Sequence, residues 1–204
     1  MTPSHRFIDS PLGPILLSVD GSGRLTGVRL GRDPGAAAVP STVPEIHAES
    51  HAEGHAEGYA EPLGHIRAHV LDDVTAQLGE YFAGRRTCFD VALAMEGSSF
   101  QRLVWSRLRQ IPFATTVSYG QLAAQLGRPG AARAIGHANA RNPIAIIVPC
   151  HRVIGSSGHL TGYGGGLEAK RHLLDLEVRH GAAVERPATD KRGPRRAVSA
   201  ERGT

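Results

Sequence analysis

Short runs of alternating apolar and polar residues open the chain. His5–Ser10, Gly13–Asp20 and Arg24–Leu30 are separated by Pro11-Leu12-Gly13 and by Asp20-Gly21-Ser22-Gly23. Turn residues between such runs predict an antiparallel meander over about residues 5–30. Ile66, Val70, Val74, Leu78 and Phe82 recur at helical spacing, which predicts a helix over 66–83 closed by Gly84. CFDVAL, residues 88–93, alternates again and reads as a last strand. Between meander and helix the pattern is lost. Pro, Gly, Ala and Ser dominate residues 31–65, and a four-residue repeat appears: HAES, HAEG, HAEG, YAEP. This reads as a low-complexity insert at about 33–64.

From Ser99 onward the pattern is helical. Gly97-Ser98-Ser99 is a break and an N-cap; Phe100, Leu103, Val104, Leu108 and Ile111 share one face, ended by Pro112. Ser118-Tyr119-Gly120-Gln121 fits a capping box opening a short helix to Leu126. Gly127–Gly130 is a turn, and Ala131–Ala140 a helix of small residues, so the segment reads as helix-turn-helix. Pro143 ends that helix. IAIIV, residues 144–148, is a buried apolar run leading into Pro149-Cys150-His151-Arg152. Gly162–Gly166 is a flexible loop and Leu167–Val178 a final helix. The expected architecture is α/β in two domains: 1–96 with an antiparallel sheet and the insert, 97–180 mainly helical, and 181–204 a basic, disordered tail.

The chain has 204 residues and a net charge of +4, and the charge is unevenly spread. Residues 1–96 carry 7 basic against 13 acidic side chains; residues 97–180 carry 10 against 3. A basic domain beside an acidic one suits a polyanionic partner for the basic half, although a solubilising surface would look the same. No stretch reaches the ~18 consecutive apolar residues that a membrane span needs. The first residues lack a secretory signal pattern, so a soluble, cytoplasmic protein without membrane association is expected. Two cysteines, Cys88 and Cys150, are too few for a disulfide scaffold or a four-thiolate zinc site.

Cys150 follows the apolar run and precedes a His and an Arg. A thiol is a good nucleophile only as a thiolate, and a nearby positive charge or His partner favours that form. Adjacent residues in an extended segment point to opposite sides, so direct contact does not follow from neighbourhood, and an inert buried thiol is the alternative. The wider context decides between them. Pro149-Cys150-His151-Arg152-Val153, Gly155-Ser156-Ser157-Gly158, Leu160–Leu167 and Lys170 resemble the active-site signature of the O6-alkylguanine-DNA alkyltransferases. The resemblance extends through Val117–Ala123, Ala131–Gly136 and Arg141-Asn142-Pro143, covering about residues 97–178; residues 5–30 and 66–93 are similar to the family's N-terminal domain. The insert and tail have no counterpart in the family's core pattern.

The resemblance implies a ribonuclease H-like N-terminal domain and a winged-helix-like C-terminal one. It implies stoichiometric, irreversible transfer of an alkyl group from O6-alkylguanine in double-stranded DNA to Cys150, with no cofactor and no metal; O4-methylthymine is a second candidate lesion, and the sequence does not rank the two. His151 would act through a water as the base, and Glu177, 27 residues after Cys150, would orient it. Asn142 would brace the turn beneath the site, and Tyr119 would donate a hydrogen bond to the leaving guanine. Tyr163, Gly164 and Gly165 would wall the base pocket together with Val153 and Ser156. The carbonyls of Cys150 and Val153 would read the guanine amino group. Arg133 would replace the extruded nucleotide in the stack. Ser118, Ala131, Ala132, Gly136, Arg141 and Arg152 would lie along DNA. The protein is expected to act as a monomer, with clustering on DNA left open.

Each residue also has an ordinary reading: Tyr119 as packing, Arg133 as a solvated charge, Glu177 as a helix-surface carboxylate, Ser118 as a cap, Trp105 as core. His47, His51 and His55 would form a metal-binding row on a helix, but Gly54 and Gly58 disfavour that helix. A lesion-binding relative without transfer activity would replace the acceptor cysteine, which is present here. A cysteine hydrolase would need an oxyanion site that nothing in the sequence singles out.

Overall fold

The computed structural model describes residues 4–31 and 62–184. Most of the insert, the three histidines of the metal row and the tail from residue 185 lie outside the described residues. Strands β1 (Ser4–Ile8), β2 (Ile15–Val19) and β3 (Leu25–Leu30) form an antiparallel sheet in that order. Ile15, Leu17 and Val19 alternate inward on β2. A register shift at Ser18/Val19 brings Leu25 and Val28 of β3 to the same core.

Helix α1 (Pro62–Phe82) packs on this sheet. Its buried stripe is Leu71, Val74, Leu78 and Tyr81, with Gln77 beside it. The stripe expected from every fourth residue differs at its ends: Ile66 is 46% exposed. Four residues turn a helix about 400°, so an every-fourth row drifts around the cylinder and leaves the core. Gly84 ends the helix at φ +70°, with Gly84 N–H donating to Tyr81 O (2.9 Å) and Arg85 N–H to Glu80 O (2.8 Å). This is a Schellman cap.

Residues 88–93 keep the alternation but are not a strand. Phe89, Val91 and Leu93 pack against the core, yet pairing is confined to a bridge between Leu25 and Leu93. The Gln77 amide takes the place of a neighbouring strand, donating to Asp90 O and accepting from Asp90 N–H, both at 3.0 Å.

The second half is helical as expected. Helix α2 (Ser99–Leu108) begins with a capping box between Ser98 and Gln101. Trp105 is core, its indole N–H donating to Ala138 O at 2.8 Å. A two-residue strand β4 (Val117–Ser118), not foreseen, leads into α3 (Tyr119–Gln125), which Ser118 and Gln121 cap as predicted. After a turn follows α4 (Ala132–Ala140). A single 3-10 turn (Cys150–Arg152) and strand β5 (Val153–Ile154) come next, β5 pairing parallel with β4. Helix α5 (Gly166–Val184) continues beyond the expected stop at Val178. Gly181 does not break it: the helix passes so close to Ala114 that a Cβ at 181 would lie 2.5 Å from the Ala114 Cβ.

The N-terminal sheet reaches the second half through β3. Val28 N–H donates to Pro143 O (2.9 Å) and Val28 O accepts from Ala145 N–H (3.0 Å). Among the described residues no helix is long and apolar enough to cross a membrane.

Two helix-ending glycines allow a controlled test. Gly127 (φ +66°) has open space where a Cβ would sit, whereas a Cβ on Gly84 would meet the His180 ring at 2.1–2.3 Å. Gly127→Ala is expected to cost about 1 kcal/mol from the left-handed backbone alone. Gly84→Ala should cost clearly more, because it also displaces the α5 contact. Urea unfolding of both variants measures the difference; equal losses would show that the His180 contact contributes nothing.

Candidate active site

The turn after α4 is built by Asn142. Its Oδ1 accepts from Ile144 N–H (3.1 Å) and its Nδ2 donates to Val148 O (2.8 Å). Ile144, Ile146 and Val148 are buried between, and Ile146 is held at φ +70°, an unfavourable conformation for a β-branched residue. The segment that follows is not extended. Cys150, His151 and Arg152 form one 3-10 turn closed by Val153 N–H on Cys150 O. All three are buried.

His151 and Arg152 converge on Glu177 of α5. Glu177 Oε1 accepts from His151 Nε2 (2.8 Å), Arg152 Nη2 (2.9 Å) and the Tyr81 hydroxyl (2.8 Å). Its Oε2 accepts from Arg152 Nε (2.9 Å) and from Ala114 N–H (3.0 Å). Burial by itself would raise the carboxyl pKa, but hydrogen bonds from His151 and Arg152 outweigh it and hold the group at about 2. Arg152 therefore does not lie along a nucleic-acid surface, as the sequence reading had it. It is 6% exposed, forked onto Glu177, bonded through Nη1 to Ile111 O (2.6 Å), and set over the Phe113 ring.

This arrangement fixes the imidazole. With Nε2 donating to an ionised carboxylate, Nδ1 carries the lone pair, and Nδ1 is buried with no protein partner. Burial lowers the His151 pKa against the pull of Glu177, so the ring rests neutral. Burial likewise pushes the Cys150 thiol up; the Asn142 side chain, the Lys170 ammonium and nearby backbone N–H groups pull the other way. Lys170 is fully buried, its Nζ on Val153 O (2.6 Å) and Thr161 O (3.1 Å).

The remaining predicted residues divide between two cavities. Cys150 borders one of about 350 Å³, with Asn139, Val28, Tyr163, Gly164 and Gly165. Tyr119, Arg133, Gly136 and Ser156 border a second, more open cavity of about 800 Å³, which shares Ala140, Tyr163 and Gly164 with the first. Tyr119 and Ser156 are thus not in the same space as Cys150. Thr161 Oγ1 donates to the Tyr119 hydroxyl at 3.1 Å. Ala132 borders the open cavity and Arg141 the one beside Cys150. Ala131 is the N-cap of α4, without a side-chain cap bond, and Ser118 is engaged in its capping box. Val153 is fully buried and borders neither cavity.

The two carbonyls expected to read a guanine amino group are already engaged. Cys150 O accepts from Val153 N–H and from Asn139 Nδ2 (3.2 Å), which uses both of its lone pairs, and Val153 O holds the Lys170 ammonium. Sequence reasoning missed Tyr81 and Asn139, and named Lys170 within the family signature without giving it a role. Tyr81 was not on the stripe expected for α1, and its bond to Glu177 spans 96 residues and leaves no local signal.

Comparison with known proteins decides the family. A family model described as "6-O-methylguanine DNA methyltransferase, DNA binding domain" matches residues 99–179, and one described as "6-O-methylguanine DNA methyltransferase, ribonuclease-like domain" matches residues 4–95. The chain belongs to the 6-O-methylguanine DNA methyltransferase family. A methylated-DNA–protein-cysteine methyltransferase of Mycobacterium tuberculosis is 47% identical over 179 residues, 85% of this chain and 91% of that family member. One from Mycolicibacterium paratuberculosis is 64% identical over 107 residues, 52% of this chain and 65% of that protein, so this match spans just under two thirds of the relative. Among solved structures, M. tuberculosis OGT in complex with DNA is 43% identical with a TM-score of 0.64, covering 86% of this chain and 93% of that one. The two-domain α/β architecture read from the sequence is the family's.

The buried hub makes stability acid-sensitive in two steps. The His151 pKa is lowered on folding, so its contribution is complete above about pH 6.5 and is lost as pH falls. Glu177 is lowered from 4.5 to about 2, so its contribution is complete above 4.5 and is lost on descent toward 2. Urea midpoints should therefore fall as pH drops, steepening below 4.5. Glu177→Gln should start about 3–5 kcal/mol less stable, since it strands buried Arg152, and should lack the steeper lower segment. Parallel profiles for the two proteins below that pH would contradict this assignment.

Proposed function

We propose that this protein repairs DNA by direct reversal of damage, moving an alkyl group from the O6 of guanine onto its own Cys150 once and irreversibly. One observation carries the reading: the residue next to Cys150 has its Nε2 tied to an ionised carboxylate and its Nδ1 left as a buried, unpartnered lone pair. The names of the relatives and the DNA-bound M. tuberculosis structure support it.

In the proposed reaction, His151 Nδ1 takes the Cys150 proton through one bridging water. Glu177 stabilises the imidazolium that forms, by charge and by hydrogen bond. The thiolate attacks the alkyl carbon; a C–S bond forms, the C–O6 bond breaks, and the electron pair leaves on the guanine. Tyr119 then supplies a proton or hydrogen bond to the departing base. Its oxygen accepts from Thr161, which leaves its own O–H free to donate. The product is a thioether, which no neighbouring group can hydrolyse, so each molecule acts once and needs no cofactor.

The target carbon lies inside the duplex, so the nucleotide must be everted at a cost of a few kcal/mol. Arg133 is exposed on α4 at the rim of the open cavity, suited to fill the gap in the stack. The everted base would enter by that cavity. Displacing the Tyr163–Gly164 wall, in a stretch with glycines at 162, 164, 165 and 166, would join it to the space beside Cys150.

Mass spectrometry after mixing with an O6-methylguanine duplex should find one methyl replacing one hydrogen, located on Cys150 and absent in Cys150→Ala. Tight binding with an unmodified protein would mean lesion recognition without transfer. Arg133→Ala should slow repair of duplex substrate by roughly tenfold or more while hardly changing the reaction with free O6-benzylguanine, because only the duplex requires eversion. Equal loss on both substrates would remove Arg133 from that role.

A further inference from the structure

We infer that Tyr81, brought in by the N-terminal half, is a positioning residue for the transfer reaction: its hydroxyl shares Glu177 Oε1 with His151 and so sets how strongly the imidazole takes the Cys150 proton. This rests on the alkyl-transfer reading above and deepens it by adding a control on the base. Glu177 Oε1 accepts from the Tyr81 hydroxyl at 2.8 Å and from His151 Nε2 at 2.8 Å. Arg152 Nη2 reaches the same oxygen at 2.9 Å. A carboxylate oxygen has two lone pairs, and His151 and Arg152 are enough to fill them. The phenol is therefore a third donor on an oxygen that two others already satisfy. Its ring does not call for the hydroxyl either. Tyr81 is fully buried against Phe82, Phe89 and Phe113, and those three rings carry no polar atom. A phenylalanine at 81 would fill the same hole with no hydrogen bond to make.

A hydrogen bond to a carboxylate stabilises its charge and leaves less of that charge for a neighbouring donor. With the phenol bound, Glu177 holds the His151 N–H less tightly and stabilises the imidazolium less. The Tyr81 carbonyl accepts the Gly84 N–H in the cap of α1, so the turn that carries the phenol is anchored. The titratable groups facing the imidazole are Glu177 and Lys170 from α5, Arg152 and Cys150 from the 3-10 turn, Tyr163 from the loop before α5 and, through Glu177, Tyr81. Arg152 and Lys170 oppose protonation of His151, and Glu177 favours it. Burial and the Glu177 charge push the Tyr81 phenol up, while Glu177 is held at about 2. Below neutrality the phenol therefore keeps its proton and the carboxylate its charge. His151 is the group of this set that changes charge as acid is added, and the hydroxyl acts on that change. The N-terminal half holds no reacting atom, yet through this bond it adjusts the base.

The test measures, across pH, the single-turnover rate constant for alkylation of Cys150 by free O6-benzylguanine, read by mass spectrometry. The small substrate removes DNA binding from the measurement, and a rate constant is unaffected by loss of active material. The rate should fall on the acid side as His151 takes a proton. Tyr81→Phe removes the third donor, strengthens the bond between His151 and Glu177, and should move that fall upward by about half a pH unit or more. Replacing Tyr81 alone by 3-fluorotyrosine, a more acidic phenol and a stronger donor, should move it downward. Phe89→Leu loosens the same ring cluster but keeps the hydroxyl, and its fall should stay where the wild type has it. A fall at the same pH in Tyr81→Phe and wild type, whatever the heights of the two profiles, would overturn the inference and leave Tyr81 as a core residue whose phenol needed an acceptor. An equal shift in Phe89→Leu would overturn it too. Should Tyr81→Phe not fold, the fluorinated protein decides alone, and no downward movement there overturns the inference. Absence of benzyl on Cys150 in every form, wild type included, would instead sink the alkyl-transfer reading beneath it.

Discussion

A single buried carboxylate organises this molecule. Glu177 accepts hydrogen bonds from His151, Arg152, Tyr81 and the Ala114 backbone, and those partners come from three separate stretches of chain. An ion buried this completely costs several kcal/mol unless its lone pairs are filled, and here a forked guanidinium, a phenol, an imidazole and an amide fill them. The hub does more than balance a charge. Ala114 is held at φ +57° and Ile146 at φ +70°, so the backbone is strained on the segment that meets the carboxylate and on the turn that carries Cys150. Strain of this kind persists only where the surroundings over-determine the geometry. Glu177 does that on one side and the Asn142 amide on the other.

The same contacts explain why the N-terminal half belongs to the site without supplying the acceptor. Tyr81 of α1 reaches Glu177 directly, and Val28 of β3 pairs with Pro143 and Ala145 in the turn before Cys150. Leu30 and Gly165 approach closely at the cavity edge: a Cβ on Gly165 would lie 3.2 Å from the Leu30 side chain. The sheet thus acts as a wall and a brace. Its position depends on the α1 stripe seating Tyr81 in the core, which links the packing of one half to the tautomer of an imidazole in the other.

What could be read from the sequence was what local chemistry encodes. The N-cap at Gly97–Ser99, the capping box at Ser118 and the cap at Gly84 each need only a few neighbouring residues, and each appears where its signal lies. Long-range partners were not legible from the residues alone. Arg152 next to Cys150 looks like a surface cation, and only the fold shows that its charge is answered by Glu177. The strand expected at 88–93 failed for a related reason: its alternation is real, but a glutamine on α1 satisfies the backbone that a neighbouring strand would otherwise have paired. The segment at Cys150–Arg152, treated as extended in the sequence reading, is instead a single 3-10 turn.

Burial of the acceptor sets up an apparent conflict. A reactive thiol is usually expected to have a lowered pKa, yet burial pushes Cys150 upward. For a protein that would be consumed by one reaction, the conflict resolves itself. An exposed, ionised thiol would be alkylated by any soluble electrophile and lost for repair. A buried thiol beside a neutral imidazole stays protonated until the base and its water are aligned with an alkyl carbon. In the proposed reaction His151 would supply the proton acceptor and Glu177 would make the resulting charge tolerable, while the Lys170 ammonium adds positive potential near the thiol. The contrast lies within the same chain: Cys88 is exposed and has none of these partners, and it has no place in the proposed chemistry. Reactivity here is a property of the buried network rather than of the cysteine by itself, which is why the carboxylate, and not the thiol, is the group on which the structure turns.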